Sequence, residues 1–197
     1  DSETKMDYIT VTDPNQVTDT LFCDKFESGI GLWTVTNNGG TCDWEIFNPP
    51  FPNSYTLPTT SAGGVLAADS DECGSGTTMI TTAEITQIFD FTIYDVVTIE
   101  FDNDWNVIDG QDEAHIEVSI DGGATWAGVW DQVGTDIRET HESINISSIA
   151  SNQSNVKVRL RSVQPGWDWW WVVDNFCVYG TYVLSNNVQL TVTVNDG

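Results

Sequence analysis

The sequence predicts an all-β fold, an antiparallel β-sandwich of jelly-roll type. Three observations carry this. Short alternating or apolar runs bounded by Gly, Pro, Asn or Asp turn signals recur about ten times along the chain. No stretch has a convincing amphipathic helical period. Residues 166–180, finally, are apolar on both faces when read with period 2. Trp170, Val172, Phe176 and Val178 fall on one face, and Trp169, Trp171, Val173 and Cys177 on the other. Such a strand is covered on both sides, as in the middle of a sandwich. Asp174 breaks the first face, and a buried carboxylate is costly unless it is paired, hydrogen-bonded or metal-bound.

Residues 6–12 read as a short strand followed by an Asp13-Pro14-Asn15 turn or linker. The main domain begins near Thr20, and its next strand, residues 32–36, is closed by Asn37-Asn38-Gly39-Gly40, a strong turn signal. Residues 43–47 form another strand. Three prolines in residues 48–53 then exclude regular pairing and place a loop at the surface. A short apolar strand runs from Gly63 into an acidic, Gly-rich loop at residues 69–76, followed by strands near 79–81 and 87–91. Residues 96–102 alternate with Val97, Ile99 and Phe101 inward, residues 115–120 with Ile116, Val118 and Ile120 inward, and residues 155–161 with Val156, Val158 and Leu160 inward. Residues 188–194 alternate again and read as a last strand, a linker or the start of another module.

Thirty Asp and Glu against six Lys and Arg give a formal charge of −24, which argues against nucleic acid or an anionic membrane as a partner. It suits a secreted protein in a salty or calcium-containing medium. No apolar run approaches the ~18 residues of a membrane span, so membrane insertion is not expected, and the chain reads as an excised or processed piece. Four widely spaced cysteines, none in C-x-x-C spacing, favour two disulfides and an oxidising compartment over four buried free thiols. Three pairings are possible. The preferred one joins Cys42 to Cys73 between two Gly-rich loops, and Cys23 to Cys177 between the first and last core strands.

Cys23-Asp24-Lys25-Phe26-Glu27-Ser28-Gly29, Trp33-Thr34-Val35, Cys42-Asp43-Trp44 and Trp171-Val172-Val173-Asp174-Asn175-Phe176 resemble the bacterial MAM-like jelly-roll domains, which include the choice-of-anchor J and cleaved-adhesin families. Residues 1–18 resemble the tail of an Ig or PKD-like module. The organisation expected is therefore a tail or linker strand at 1–18, a MAM-like jelly roll at 19–181, and a C-terminal strand, linker or next module at 182–197. The resemblance implies a non-catalytic module of a large secreted or surface protein, with a structural Ca²⁺ held by Glu27 and Asp174.

Calcium takes six to eight oxygens from carboxylates, carbonyls and water. Asp69 and Asp71, in a loop able to offer carbonyls, and Asp102 complete the metal candidates. The stretches Asp102-Asn103-Asp104 and 109–113 faintly resemble calcium loops but read as acidic turns. Residues 119–126 fit an Asp-box, S-x-D-x-G-x-T-W, which reads as a structural hairpin. Lys157, Arg159 and Arg161 share one strand face and read as partners of carboxylates such as Glu100 and Glu117. Most tryptophans read as core. Trp105 and Trp167, flanked by acidic loops, are the candidates for an exposed sugar platform. His115 and His141 belong to no catalytic motif, so no enzyme is expected. The expected role is extracellular recognition or adhesion, with polysaccharide or a cell-surface glycan as partner. The alternative is a structural unit that pairs with neighbouring protein modules through its terminal strands.

Overall fold

A computed structural model describes residues 16–184. The strands expected at 6–12 and 188–194 lie outside the described residues, as does all of the PKD-like tail but residues 16–18, which belong to the first strand of this sandwich. Two antiparallel sheets pack face to face as a jelly roll. One has the order β3 (Glu45–Phe47), β4 (Val65–Asp69), β11 (Trp170–Val183), β6 (Val96–Asn106) and β9 (Ile137–Asn145), and β1 (Gln16–Asp24) pairs with the later half of β11. The other has the order β2 (Trp33–Asn37), β5 (Met79–Ile85), β10 (Lys157–Gln164), β7 (Glu113–Ser119) and β8 (Ala127–Val133). Two single helical turns, α1 (Ser70–Cys73) and α2 (Ser147–Ala150), interrupt the connections. Gln16 pairs with Val183, so the sheet continues beyond the span 19–181 at both ends.

The core lies between the sheets and is aromatic at its centre. Trp171 is fully buried, stacked on Trp130 at 5.6 Å between centroids, edge-on to Trp44 at 5.1 Å and near Trp105 at 6.3 Å. Its indole N–H donates to Asn103 Oδ1 at 2.9 Å. Trp105, expected at the surface, is instead wholly buried. It is the cross-strand partner of Trp171, and β6 runs on through Asn106 rather than turning at the acidic residues. Asp102, Asn103 and Asp104 are accordingly buried strand residues and not a turn. Ile120 is also corrected: it lies past the end of β7, half out in solvent.

Strict alternation along β11 fails at one point. The register with β6 shifts between Asp174 and Cys177, and Asn175 sits at φ 48°, a left-handed conformation that Asn adopts more readily than most residues. The bulge exchanges the faces. Trp171 and Val173 before it, and Phe176 and Val178 after it, all point into the core. Trp170 and Val172 belong to a separate cluster on the outer face. The single-face reading of Trp170, Val172, Phe176 and Val178 therefore does not hold.

Both disulfides are the preferred ones. Cys23–Cys177 ties β1 to β11 at a register pair, and Cys42–Cys73 ties the loop before β3 to α1. On the outer face of the five-stranded sheet the basic row is neutralised. Lys157 pairs with Glu84, Arg159 Nε donates to Glu117 at 2.6 Å and Arg161 Nε to Glu117 at 3.3 Å. Glu100 is not among these partners, because β6 belongs to the other sheet. The Asp-box is the expected hairpin. Asp121 accepts from Thr125 N and Oγ1, Gly122 and Gly123 have positive φ, and Trp126 donates back to Gly123 O.

Candidate functional site

The outer face of the six-stranded sheet is built from alternate residues of its central strands. On β11 these are Asp174, Cys177, Tyr179 and Thr181; the β6 residues opposite are Asp102, Glu100, Thr98 and Val96. His141 on β9 lies across from Asp102, and Thr20 on β1 across from Tyr179. Residues 48–64, too rich in proline to pair as a strand, fold over one half of this face. There Phe47, Phe51, Tyr55 and Leu57 cover Val65, Ala67, Trp170 and Val172, forming a small second core. Asp104 anchors that cover. It accepts from Thr56 N at 2.7 Å, Thr56 Oγ1 at 3.1 Å, Trp170 Nε1 at 2.9 Å and Arg138 Nε at 2.7 Å.

The other half of the face is open. A groove of ≈ 430 Å³ is lined by Thr20, Lys25, Thr60, Glu100, Asp102, His141, Asn175 and Tyr179, with the Cys23–Cys177 bridge in its wall. A second hollow of ≈ 340 Å³ shares Glu100 and Tyr179 and continues past Thr18, Thr98 and Thr181. Asp102 organises one end. Burial alone would raise its pKa, but hydrogen bonds from Asn175 (2.7 Å), His141 (2.8 Å), Thr60 (2.7 Å) and Ser61 (2.8 Å) outweigh that and hold it below the usual range. His141 thus sits between Asp102 and Glu100, whose carboxylate is 3.8 Å from its Nε2. Lys25 is the one Lys or Arg among the described residues with no ion pair, which leaves its ammonium available to the groove. Donors, acceptors and one tyrosine ring therefore converge on a solvent-open channel of mixed polar and apolar lining.

Sequence reasoning missed Lys25, Glu100, His141 and Tyr179. Glu100 had only the alternation of β6 as a signal and Tyr179 only that of β11, which the bulge at Asn175 scrambles; Lys25 lies just past β1 and His141 on β9, where periodicity gave none. Trp167 is half exposed, as expected, but stands in the turn before β11, away from this groove, and donates to Asp71 O at 3.2 Å.

The five metal candidates fall in different places. Among the described residues no three Asp, Glu, His or Cys side chains converge as a metal cluster. Glu27 and Asp174 approach the same segment, 62–64: Asp174 Oδ2 accepts from Ala62 N at 3.3 Å, and a Cβ added at Gly63 would lie 2.0 Å from a Glu27 carboxylate oxygen. Gly64 is also closely packed: a Cβ added there would lie 2.8 Å from Phe26 O and 3.2 Å from Asn48 Oδ1. Burial pushes the Asp174 carboxyl up to about 6, with the charge of Asp102 adding to it. Asp102 is the cross-strand partner of Asp174, but its oxygens are engaged in the groove. Asp69 faces Trp170, four residues or about 13 Å along β11 from Asp174. It caps α1 through Glu72 N and accepts from Asn53 and Tyr55 OH at 2.8 and 2.5 Å, and Asp71 follows it in that turn.

Solved structures share this architecture. The K3 cleaved adhesin domain of the Lys-gingipain Kgp of Porphyromonas gingivalis W83 matches with a TM-score of 0.57 at 13% identity, over 83% of this chain and 99% of that one. The K1 domain of the same protein matches at 0.56 and 14%, over 83% and 96%. The carbohydrate-binding module TmCBM61, solved with β-1,4-galactotriose, matches at 0.51 and 13%, over 79% and 94%. The likeness is one of fold. No model of a known protein family matches the chain, and no curated protein matches it.

Proposed function

We propose that this chain is a non-catalytic extracellular recognition module of the MAM-like, cleaved-adhesin kind, which binds a glycan along the groove beside Tyr179. The observation that carries this reading is the groove itself. Its hydroxyl, ammonium, imidazole and carboxylate groups suit sugar hydroxyls, and the Tyr179 ring supplies a face for pyranose C–H groups. Support comes also from the fold shared with adhesin domains and with a module solved on a galactose trisaccharide. The two disulfides fit an oxidising compartment. Affinity electrophoresis through a panel of soluble polysaccharides tests it. Retardation by one polymer is expected, and Tyr179→Ala should weaken it at least about tenfold, the scale of one central contact worth more than ~1 kcal/mol. If Trp167→Ala abolishes retardation and Tyr179→Ala does not, the groove is the wrong site. The alternative, an assembly unit, gains weight if no polymer retards the protein: Gln16 pairs with Val183, so the first and last residues of the described strands lie side by side in the sheet.

The reading includes one structural Ca²⁺ held by Glu27 and Asp174. The donors fit a hard cation: two carboxylates, the Asn48 amide oxygen and the Phe26 carbonyl border one Gly-rich segment that admits no side chain at 63 or 64. Bound calcium would neutralise Asp174 and pin residues 60–64, one wall of the groove. At calcium a hundredfold above Kd, the gain is about 2.7 kcal/mol. EDTA is therefore expected to lower the melting midpoint by roughly 5–10 °C. Glu27→Gln should remove most of that response, and an unchanged response would exclude Glu27 as a ligand.

A further inference from the structure

A second set of oxygens gathers at the end of the sandwich where β6 turns into β7 and β10 into β11. In the β10–β7 ladder Val163 lies opposite Glu113, so one step further sets Gln164 opposite Asp112, on the inner face with Ala114 and Ser162. Both side chains are 1% exposed. Asp112 Oδ2 accepts from Ile108 N at 3.1 Å, but Oδ1 has no partner. Gln164 spends its amide N–H groups on Ala68 O at 3.0 Å and Ser162 Oγ at 2.9 Å, which turns Oε1 away from both with no donor. Among the described residues these are the two buried side-chain acceptors left without a partner.

Asp168, also buried, brings its carboxylate against that of Asp112. One of its oxygens accepts from Gly166 N at 3.0 Å, and Ser70 Oγ fixes its backbone N–H at 2.7 Å. No Lys, Arg or His among the described residues pairs with either acid. Two carboxylates in contact need a positive charge or a proton between them. A shared proton would serve the acids and leave the Gln164 oxygen unsatisfied. A single divalent cation serves all three. The donor types, two carboxylates and an amide carbonyl with loop carbonyls at hand, are those of calcium.

We infer that Asp112, Asp168 and Gln164 form a calcium site separate from Glu27 and Asp174. The ion would tie the loop at 107–112 to the turn at 165–169, whose outer side carries the exposed Trp167 and Trp169.

Calcium-stripped protein, titrated with Tb³⁺ under tryptophan excitation and with Ca²⁺ by calorimetry, tests this. Asp112→Asn and Asp168→Asn should each lose one equivalent of bound ion relative to wild type, whatever Glu27→Gln does to the other site. Gln164→Glu adds a third carboxylate and should bind Ca²⁺ at least tenfold more tightly, which keeps the test decisive if an Asn variant fails to fold. Unchanged stoichiometry in both Asn variants overturns the site. So does a melting midpoint raised equally with and without calcium, the signature of a shared proton or a water in place of the ion. Polysaccharide binding is scored separately, so failure here leaves the glycan reading standing.

Discussion

Trp171→Ala is expected to lower the unfolding free energy by about 4–5 kcal/mol, near the upper end of what deleting one buried aromatic costs. Trp171 touches three other tryptophans, and both sheets close on it, so the space it leaves has little chance to collapse. Its loss also leaves Asn103 Oδ1 without the indole N–H, inside a residue that is completely buried. For a domain of this size the midpoint should fall by roughly 10–15 °C. Trp169→Ala, two residues earlier with a side chain 37% exposed, should move it by no more than a few degrees. Thermal melts followed by near-ultraviolet circular dichroism check both. Equal melting of the two variants would mean that the core does not hinge on Trp171.

The same stretch shows what could be read in the sequence and what could not. Apolar residues on both faces announced a central strand, and β11 is central. The alternating runs at 96–102, 115–120 and 155–161 lie within or overlap β6, β7 and β10, and of the three cysteine pairings the sequence left open, the preferred one is formed. β8 and β9 gave no signal. Each is an edge strand, and β9 carries Arg138, Glu139, Thr140, His141, Glu142 and Ser143 between two isoleucines, a pattern that reads as a polar loop. The groove was equally hidden. Its residues come from β1, β6, β9, β11 and the proline-rich cover, and a one-residue bulge decides which β11 side chains face it. Local periodicity cannot register such an insertion, because its effect appears only in the pairing with the neighbouring strand.

Asp104→Ala bears most directly on how the site is built. Asp104 has no exposed surface, yet four groups on three segments depend on it: Thr56 in the cover, Arg138 on β9 and Trp170 on β11. Removing the carboxylate leaves a buried indole N–H and a backbone N–H without acceptors and strips Arg138 of its counter-charge. Breaking a buried pair from one side costs about 3–5 kcal/mol, and the low end applies here because Arg138 is 30% exposed and can turn to water. The sheets themselves lose no packing, so far-ultraviolet circular dichroism should stay that of wild type. The damage should fall on residues 48–64: limited proteolysis is expected to cut there first, and Trp170 should become accessible to a fluorescence quencher. Because Thr60 and Ser61 reach Asp102 from that same segment, the variant should also bind polysaccharide more weakly although it touches no groove residue. Weaker binding with intact sheets would establish that the cover is a working wall of the site, whereas full binding with a cleaved cover would confine the site to the sheet face alone.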